Sequence, residues 1–314
     1  MQLEEVDCNI CGSHNYRIIF KSKDFRLRTS TVFFNLVKCN NCGFVYLNPR
    51  PHEKEIYKFY PTDFNRKDNS FFFKIIEPCF NVSQKRIIRE LKKYKLVGKT
   101  LDIGCGNGQF VSLLLEEGYD AMGIEKNPDA EKFSDPDVKG IIFYRELADC
   151  RFKDSTFDII TMFHSLEHVS SPGPLLEEIE KLLKDDGVLY ISVPNIHFWE
   201  FFLFGPYHYN LEVPRHLYFF NKKTLKKFLL RYGFTPKKFL YDCIFDRVST
   251  PASLYHSLCN YLEDKGIDLS SIVKLLIYIP LVLIRLILNF IFFFQSQNLQ
   301  VVCVKSTYEN KHLL

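Results

Sequence analysis

Leu101-Asp102-Ile103-Gly104-Cys105-Gly106-Asn107-Gly108-Gln109 concentrates residue types that bind ligands. An apolar run enters a glycine turn, and Phe110, Leu113 and Leu114 follow at helical spacing. Glycine lets the backbone approach a ligand closely, and a helix N-terminus favours negative groups. A tight strand-to-helix turn without a ligand is the competing reading. The glycines are spaced G-x-G-x-G and lack the third glycine of the dinucleotide fingerprint. Asp102, just before the turn, would repel a pyrophosphate and tolerate a cationic ligand group. Glu125 ends the next apolar run about twenty residues later, where a carboxylate can accept from both ribose hydroxyls. Its alternative is a solvated charge at a strand end.

A second constellation lies near the N-terminus. Cys8 and Cys11 form one Cys-x-x-Cys pair and Cys39 and Cys42 another, with 27 residues between the pairs. Two intervening residues allow a turn that converges both thiolates on one face of a tetrahedral metal. Gly12 and Gly43 each follow the second cysteine, where a tight turn needs them. The expectation is a structural zinc site in a zinc-ribbon-like module. Unligated buried thiols and redox chemistry are the alternatives. His14 is a further ligand in principle, but four thiolates already saturate zinc.

These residues need elements to hold them. Residues 99–103, 119–125, 141–144, 157–163 and 188–193 read as strands, with helical patterns at 172–184 and 221–231. Residues 239–244 and 299–305 read as two more strands. Strands alternating with helices imply a parallel, Rossmann-like sheet covered on both faces. The expected organisation is a cysteine module over 1–50, a helical linker and possible lid over 51–95, and an α/β domain over 96–314. Residues 245–297 form an apolar insertion before the last strand.

Composition sets the class. The net charge is +4 with no long basic cluster, so no nucleic-acid footprint is expected. Four of the ten cysteines are paired by motif and the rest are scattered, which suits a reducing compartment. The start, MQLEEVDC, has no apolar run and reads as no secretory signal, so the cytoplasm is the default. Aromatic residues make up 16%, which implies heavy apolar packing, an aromatic pocket or lipid contact.

The sequence resembles the class I S-adenosylmethionine-dependent methyltransferases. Besides the glycine turn, the resemblance is carried by Phe157-Asp158-Ile159-Ile160, by His164-Ser165-Leu166-Glu167-His168-Val169 and by Leu182-Leu183-Lys184-Asp185-Asp186-Gly187-Val188-Leu189. Pro214-Arg215-His216-Leu217-Tyr218-Phe219-Phe220 is similar to a segment of a bacterial subgroup that also carries an N-terminal cysteine module. The matches run in order from residue 8 to about 244. The resemblance implies a seven-stranded sheet and a cofactor cradle at Asp102, Gly104, Gly106 and Glu125. It also implies an adenine edge around Glu146, Leu147 and Ala148, and His164 near the methionine moiety.

Methyl transfer is an in-line displacement at a sulfonium, so the enzyme mainly aligns and desolvates the acceptor. A hydroxyl or carbon-acid acceptor gains from a general base, and histidine suits that role near neutral pH. His168 is the first candidate and His216 the second; a polar turn and ordinary packing are their alternatives. Trp199, Tyr207, His208 and Tyr209 are candidate pocket liners in the connection over 196–220. Cys105 reads as a small residue in the turn.

Residues 275–294, LLIYIPLVLIRLILNFIFFF, contain one charge, Arg285, and are long enough to span a bilayer. If the last strand joins the sheet beside the strand before the insertion, a single crossing is impossible. An interfacial, peripheral contact through 272–294 at the inner face of the membrane is therefore expected; a true span and a buried cap remain open. The expected function is methylation of a small-molecule, sugar-derived or lipid-linked acceptor. A quinone or other isoprenoid lipid, a non-catalytic binding protein and an NAD-dependent oxidoreductase are the competing classes. The oligomeric state is left open.

Overall fold

The computed structural model describes residues 1–61, 64, 71–134, 136–241, 243–267, 280 and 296–306. The apolar segment 275–294 therefore lies outside the described residues, apart from position 280, and so does the expected membrane contact. Among the described residues no helix is long and apolar enough to cross a membrane. The chain divides into two compact units. The first combines residues 1–60, 194–221 and 241–298, and the second combines 61–193, 222–240 and 299–314. The sequence reading did not contain this interleaved partition.

In the first unit, β1 (Leu3–Glu4) pairs with β5 (Arg50–Pro51), and α1 (Glu53–Ile56) follows. Strands β2 (Tyr16–Ser22), β3 (Phe34–Cys39) and β4 (Val45–Leu47) form an antiparallel sheet. β11 (Tyr218–Phe219) adds to β4, with Tyr218 opposite Tyr46. The connection after the fifth expected strand thus supplies a strand to the cysteine-bearing sheet. Ring packing explains the pairing: Phe44 stacks on Tyr218 at 5.9 Å and meets Phe220 at 5.2 Å. Much of the chain's aromatic excess goes into such packing. Two further helices belong here, α5 (Trp199–Phe204) and α7 (Cys243–Asp264).

The unit also buries a charged pair. Arg215 donates from both terminal nitrogens to Asp24, at 2.8 and 3.0 Å, and to the Phe59 carbonyl at 3.2 Å. Asp24 accepts further from the Leu27 and Thr29 amides and the Thr29 hydroxyl. Both charged side chains are fully buried.

The second unit is built on seven strands: β6 (Lys99–Ile103), β7 (Asp120–Ile124), β8 (Ile142–Phe143), β9 (Phe157–Phe163), β10 (Leu183–Pro194), β12 (Phe234–Leu240) and β13 (Asn298–Lys305). Their order is β12-β13-β10-β9-β6-β7-β8. Strands β8, β7, β6, β9 and β10 run parallel, whereas β12 and β13 are antiparallel. The chain moves outward from β6 through β7 to β8, then returns to β9 on the other side. That reversal beside β6 is the switch point at which open α/β sheets bind ligands, outside the carboxyl ends of the strands. This is the Rossmann-like methyltransferase fold that the sequence pattern leads one to expect.

Helices α2 (Phe71–Leu91), α3 (Gln109–Glu116), α4 (Pro172–Leu182) and α6 (Lys222–Arg231) belong to this unit. Ile87, Ile88 and Leu91 of α2 pack with Phe110, Val111 and Leu114 of α3 in the main apolar core. Two boundaries differ from the expectation. The sixth strand spans Phe234–Leu240 and not 239–244, because Gly233 in a left-handed conformation ends α6 and buried Phe234 enters the sheet at once. β10 begins at Leu183, opposite Phe157, and a register shift before Val188 absorbs Lys184-Asp185-Asp186-Gly187. The closing strand falls where expected, with Phe239 opposite Val301 and Leu240 opposite Gln300.

Candidate functional site

The glycine turn leaves β6 at the switch point and opens α3. The Gly104 and Cys105 amides both donate to the Ile124 carbonyl of β7, at 2.8 and 3.0 Å, which draws the turn over the sheet edge. Gly104 has φ +76, and a Cβ there would strike the Ser165 hydroxyl. Gly108 caps α3 with φ +83. The turn thus packs so closely on Ser165, Val138 and Ile142 that neither glycine could carry a side chain.

Glu125 lies at the end of β7, half-buried, and reaches back to this turn. Its carboxylate accepts from the Gly106 amide at 3.0 Å and from the Asn127 amide at 2.8 Å. Burial pushes its carboxyl above the usual range, against the pull of the Asn127, Gly106 and Lys126 amides. Oε2 accepts the Gly106 bond and Oε1 the Asn127 bond, and a carboxylate has about four acceptor sites in all. Asp102 is buried, and the Thr161 hydroxyl of β9 donates to it at 2.6 Å. Burial pushes its carboxyl up to about 7; the Thr161 bond opposes this and the Glu125 charge adds to it. A cationic group beside this pair would favour the ionised form.

The other expected cofactor residues occupy varied surroundings. Glu146 is exposed and pairs with Lys126 at 2.6 Å, while Leu147 is buried at the start of a short 3-10 turn over Leu147–Cys150. His164 follows β9 with a left-handed φ of +49, and its amide donates to the Ser192 carbonyl of β10 at 2.9 Å. Its exposed ring lies 3.3 Å from the buried Glu167 carboxylate. His168 is half-buried in the 3-10 turn Leu166–His168, just beyond the carboxyl end of β9. Structure therefore brings Asp102, Gly104, Gly106 and Glu125 together and puts His164 and His168 on the neighbouring turn.

His216 belongs to the first unit, where it is buried between Arg215 and β11 and its ring meets Phe219 edge-on at 6.5 Å. Among the proposed pocket liners, His208 is buried with Nε2 3.6 Å from Glu200, and Tyr209 stacks on His256 at 4.8 Å. Tyr207 donates to Asp264 at 2.9 Å, and Trp199 opens α5.

The four cysteines converge. Cys8 Sγ lies 3.4 Å from Cys42 Sγ, Cys11 Sγ lies 3.5 Å from Cys39 Sγ, and all four sulfurs fall within 4.8 Å of one another. Four sulfurs about 2.3 Å from one ion at tetrahedral angles stand about 3.8 Å apart. The spacing therefore fits a metal of that size. Each pair is shaped by a turn: the Gly12 amide donates to the Cys8 carbonyl at 2.7 Å and the Gly43 amide to the Cys39 carbonyl at 3.0 Å. Both glycines are left-handed, at φ +68 and +79.

Sequence reasoning missed Thr161 and Asn127. Thr161 lies between Ile159-Ile160 and Met162-Phe163 in β9, where a lone hydroxyl among apolar residues signals a buried partner. Asn127-Pro128 opens a 3-10 turn, and the Asn127 side chain accepts from the Asp129 amide at 3.0 Å. That Asn-Pro pair was a readable turn signal directly after Glu125.

The switch-point cradle on a 6-7-5-4-1-2-3 sheet, counted over the seven strands in chain order, defines a methyltransferase-type α/β protein. The comparison with known families agrees: residues 78–238, just over half of the chain, match the methyltransferase domain family, and the chain belongs to it. It is similar to a ubiquinone biosynthesis O-methyltransferase of Pelagibacter ubique, 31% identical over 158 residues, which covers 46% of this chain and 65% of that protein. A namesake from Methylococcus capsulatus is 30% identical over 103 residues, covering 31% of this chain and 44% of the relative. The chain thus spans less than two thirds of the curated relatives it matches. A solved S-adenosylmethionine-dependent methyltransferase from Archaeoglobus fulgidus aligns with a TM-score of 0.47 at 21% identity, covering 75% of this chain and 100% of that one.

Proposed function

We propose that this protein transfers the methyl group of S-adenosylmethionine to a small-molecule acceptor, with oxygen the favoured acceptor atom. The observation that carries the reading is the Glu125 carboxylate bonded to the Gly106 amide at the mouth of the glycine turn. A carboxylate in that position accepts from the vicinal hydroxyls of a ribose. Asp102 supplies a negative neighbour for a cationic ligand. Bound there, the cofactor would supply an electrophilic methyl on a sulfonium. The chain's own residues bind it, orient the acceptor and exclude water. His168 is our candidate to take the acceptor's proton, because its turn follows β9 at the same sheet edge.

The names of the relatives favour O-methylation. The apolar segment 275–294 favours an acceptor attached to an isoprenoid lipid over a free sugar as the second reading. Zinc held by Cys8, Cys11, Cys39 and Cys42 would staple the β2–β4 sheet without taking part in transfer, since four thiolates leave it no open position.

Three results are expected. Protein supplied with methyl-labelled cofactor and a cell extract should place the label in a low-molecular-weight product; label that stays in the cofactor argues against transfer. Glu125→Ala should weaken binding of S-adenosylhomocysteine about tenfold or more, the cost of a lost charge-assisted hydrogen bond. Unchanged affinity by calorimetry would refute the cofactor assignment. Protein purified without chelator should contain about one zinc per chain. Metal analysis that finds none would leave the four thiols without this role.

A further inference from the structure

We infer that two side-chain amides, Asn81 and Gln84, receive the amino-acid end of the cofactor, with Gln109 holding Asn81 in place. The inference rests on the S-adenosylmethionine reading above and extends it to residues of α2 that no motif marks. Gln109 is the first residue of α3, directly after the glycine turn, and its Nε2 donates to Asn81 Oδ1 at 3.3 Å. That bond ties α2 to the exit of the turn.

Gln84 lies three residues beyond Asn81, on the same side of α2. Further along that side, Ile87, Ile88 and Leu91 enter the core beside Phe110, Val111 and Leu114. The inward side of α2 therefore changes from apolar to amide as it comes level with the glycine turn. Gln84 is only 8% exposed, and its Oε1 is buried with no hydrogen-bond partner among the described residues. An unmet buried acceptor costs about 1–3 kcal/mol, so its retention one helical turn from the Asn81–Gln109 bond points to a donor on the ligand.

The ligand chemistry matches. The amino-acid end of the cofactor is a zwitterion and needs an acceptor for its ammonium close to donors for its carboxylate. Residues 101–109 contain no lysine or arginine, so no side-chain cation from the turn meets that carboxylate. Amides offer both functions with no net charge. Gln84 Oε1 accepts from the ammonium. Asn81 Nδ2, on the amide whose oxygen is held by Gln109, donates to the carboxylate.

Calorimetry with two probes tests this. S-adenosylhomocysteine carries the amino-acid end, and 5′-methylthioadenosine lacks it. Gln84→Met and Asn81→Leu keep the side-chain volume and remove the polar function. Each should weaken S-adenosylhomocysteine about tenfold, the loss of one such bond, and leave methylthioadenosine within about twofold. Glu125→Ala should weaken both probes. If the two probes weaken together in the amide variants, or if S-adenosylhomocysteine binds them unchanged, the inference is overturned. Failure of the unmodified protein to bind either probe would instead overturn the cofactor reading itself. Thermal melting checks the fold of each variant. Should Gln84→Met unfold, half-buried Asn81 carries the same comparison alone.

Discussion

Replacing His168 by alanine is expected to lower turnover by about 10²–10⁴-fold, the usual contribution of a positioned general base. Cofactor affinity should stay close to that of the unmodified protein, because the base acts on the acceptor and not on the adenosyl group. The expectation comes from position: His168 ends the 3-10 turn Leu166–His168 that follows β9, one strand from the glycine turn on β6. The neighbouring residues are anchored. The His168 amide donates to the Ser165 carbonyl at 3.1 Å, and Leu166 and Glu167 are buried. Single-turnover kinetics with saturating cofactor separates the two effects. A variant that retains near-normal turnover would show that His168 is not the base.

The second large effect concerns stability. Arg215→Ala should cost about 3–5 kcal/mol, because it strands the buried Asp24 carboxylate without its partner. The chain's single tryptophan, Trp199, lies in the first unit with this pair, so its fluorescence reports on that unit's unfolding in urea. The pair also sets an acid limit. Burial alone would raise the Asp24 carboxyl, but the bonds from Arg215 and Thr29 outweigh it and hold the group below its ordinary value of 3.8. A depressed folded pKa stabilises the protein fully above the unfolded value and loses that contribution as pH falls through the folded value. The first unit should therefore keep this stabilisation down to about pH 4 and lose it progressively below, whereas Arg215→Ala should show no such loss. A stability loss under about 1 kcal/mol in the variant, the range of an exposed pair, would show that the pair is not buried as described.

The parallel sheet was legible because each of its strands is a short apolar run bounded by turn residues, with helical spacing between them. The cradle was legible for the same reason: Asp102, the glycines and Glu125 lie on one local strand–turn–helix–strand unit. What escaped depends on long-range partners. Arg215 read as part of a family segment, yet its role is set by Asp24, far away in the chain. Tyr218 and Phe219 read only as part of the same segment, because a two-residue strand carries no periodicity. The limits of β12 were misplaced because Gly233 permits an abrupt exit from α6, and the polar Thr235, Lys237 and Lys238 hid the strand pattern. The amides of α2 carry no recognisable motif, since a glutamine on a helix is ordinary until its burial is known.

The position of β13 has a consequence for synthesis. This strand sits between β10 and β12, yet it follows both in the chain, after an excursion of roughly sixty residues whose closure costs about 2 kcal/mol more than a four-residue turn. On the ribosome, β10 emerges with one side unpaired and β12 emerges with no neighbour in the sheet. Both must wait until residues 298–305 have left the exit tunnel. The nascent chain therefore holds an open, strongly apolar strand edge through much of its translation, the feature that invites pairing with other chains. Slow elongation or truncation before residue 298 should expose this protein to aggregation and to capture by chaperones more than a fold whose sheet closes in chain order.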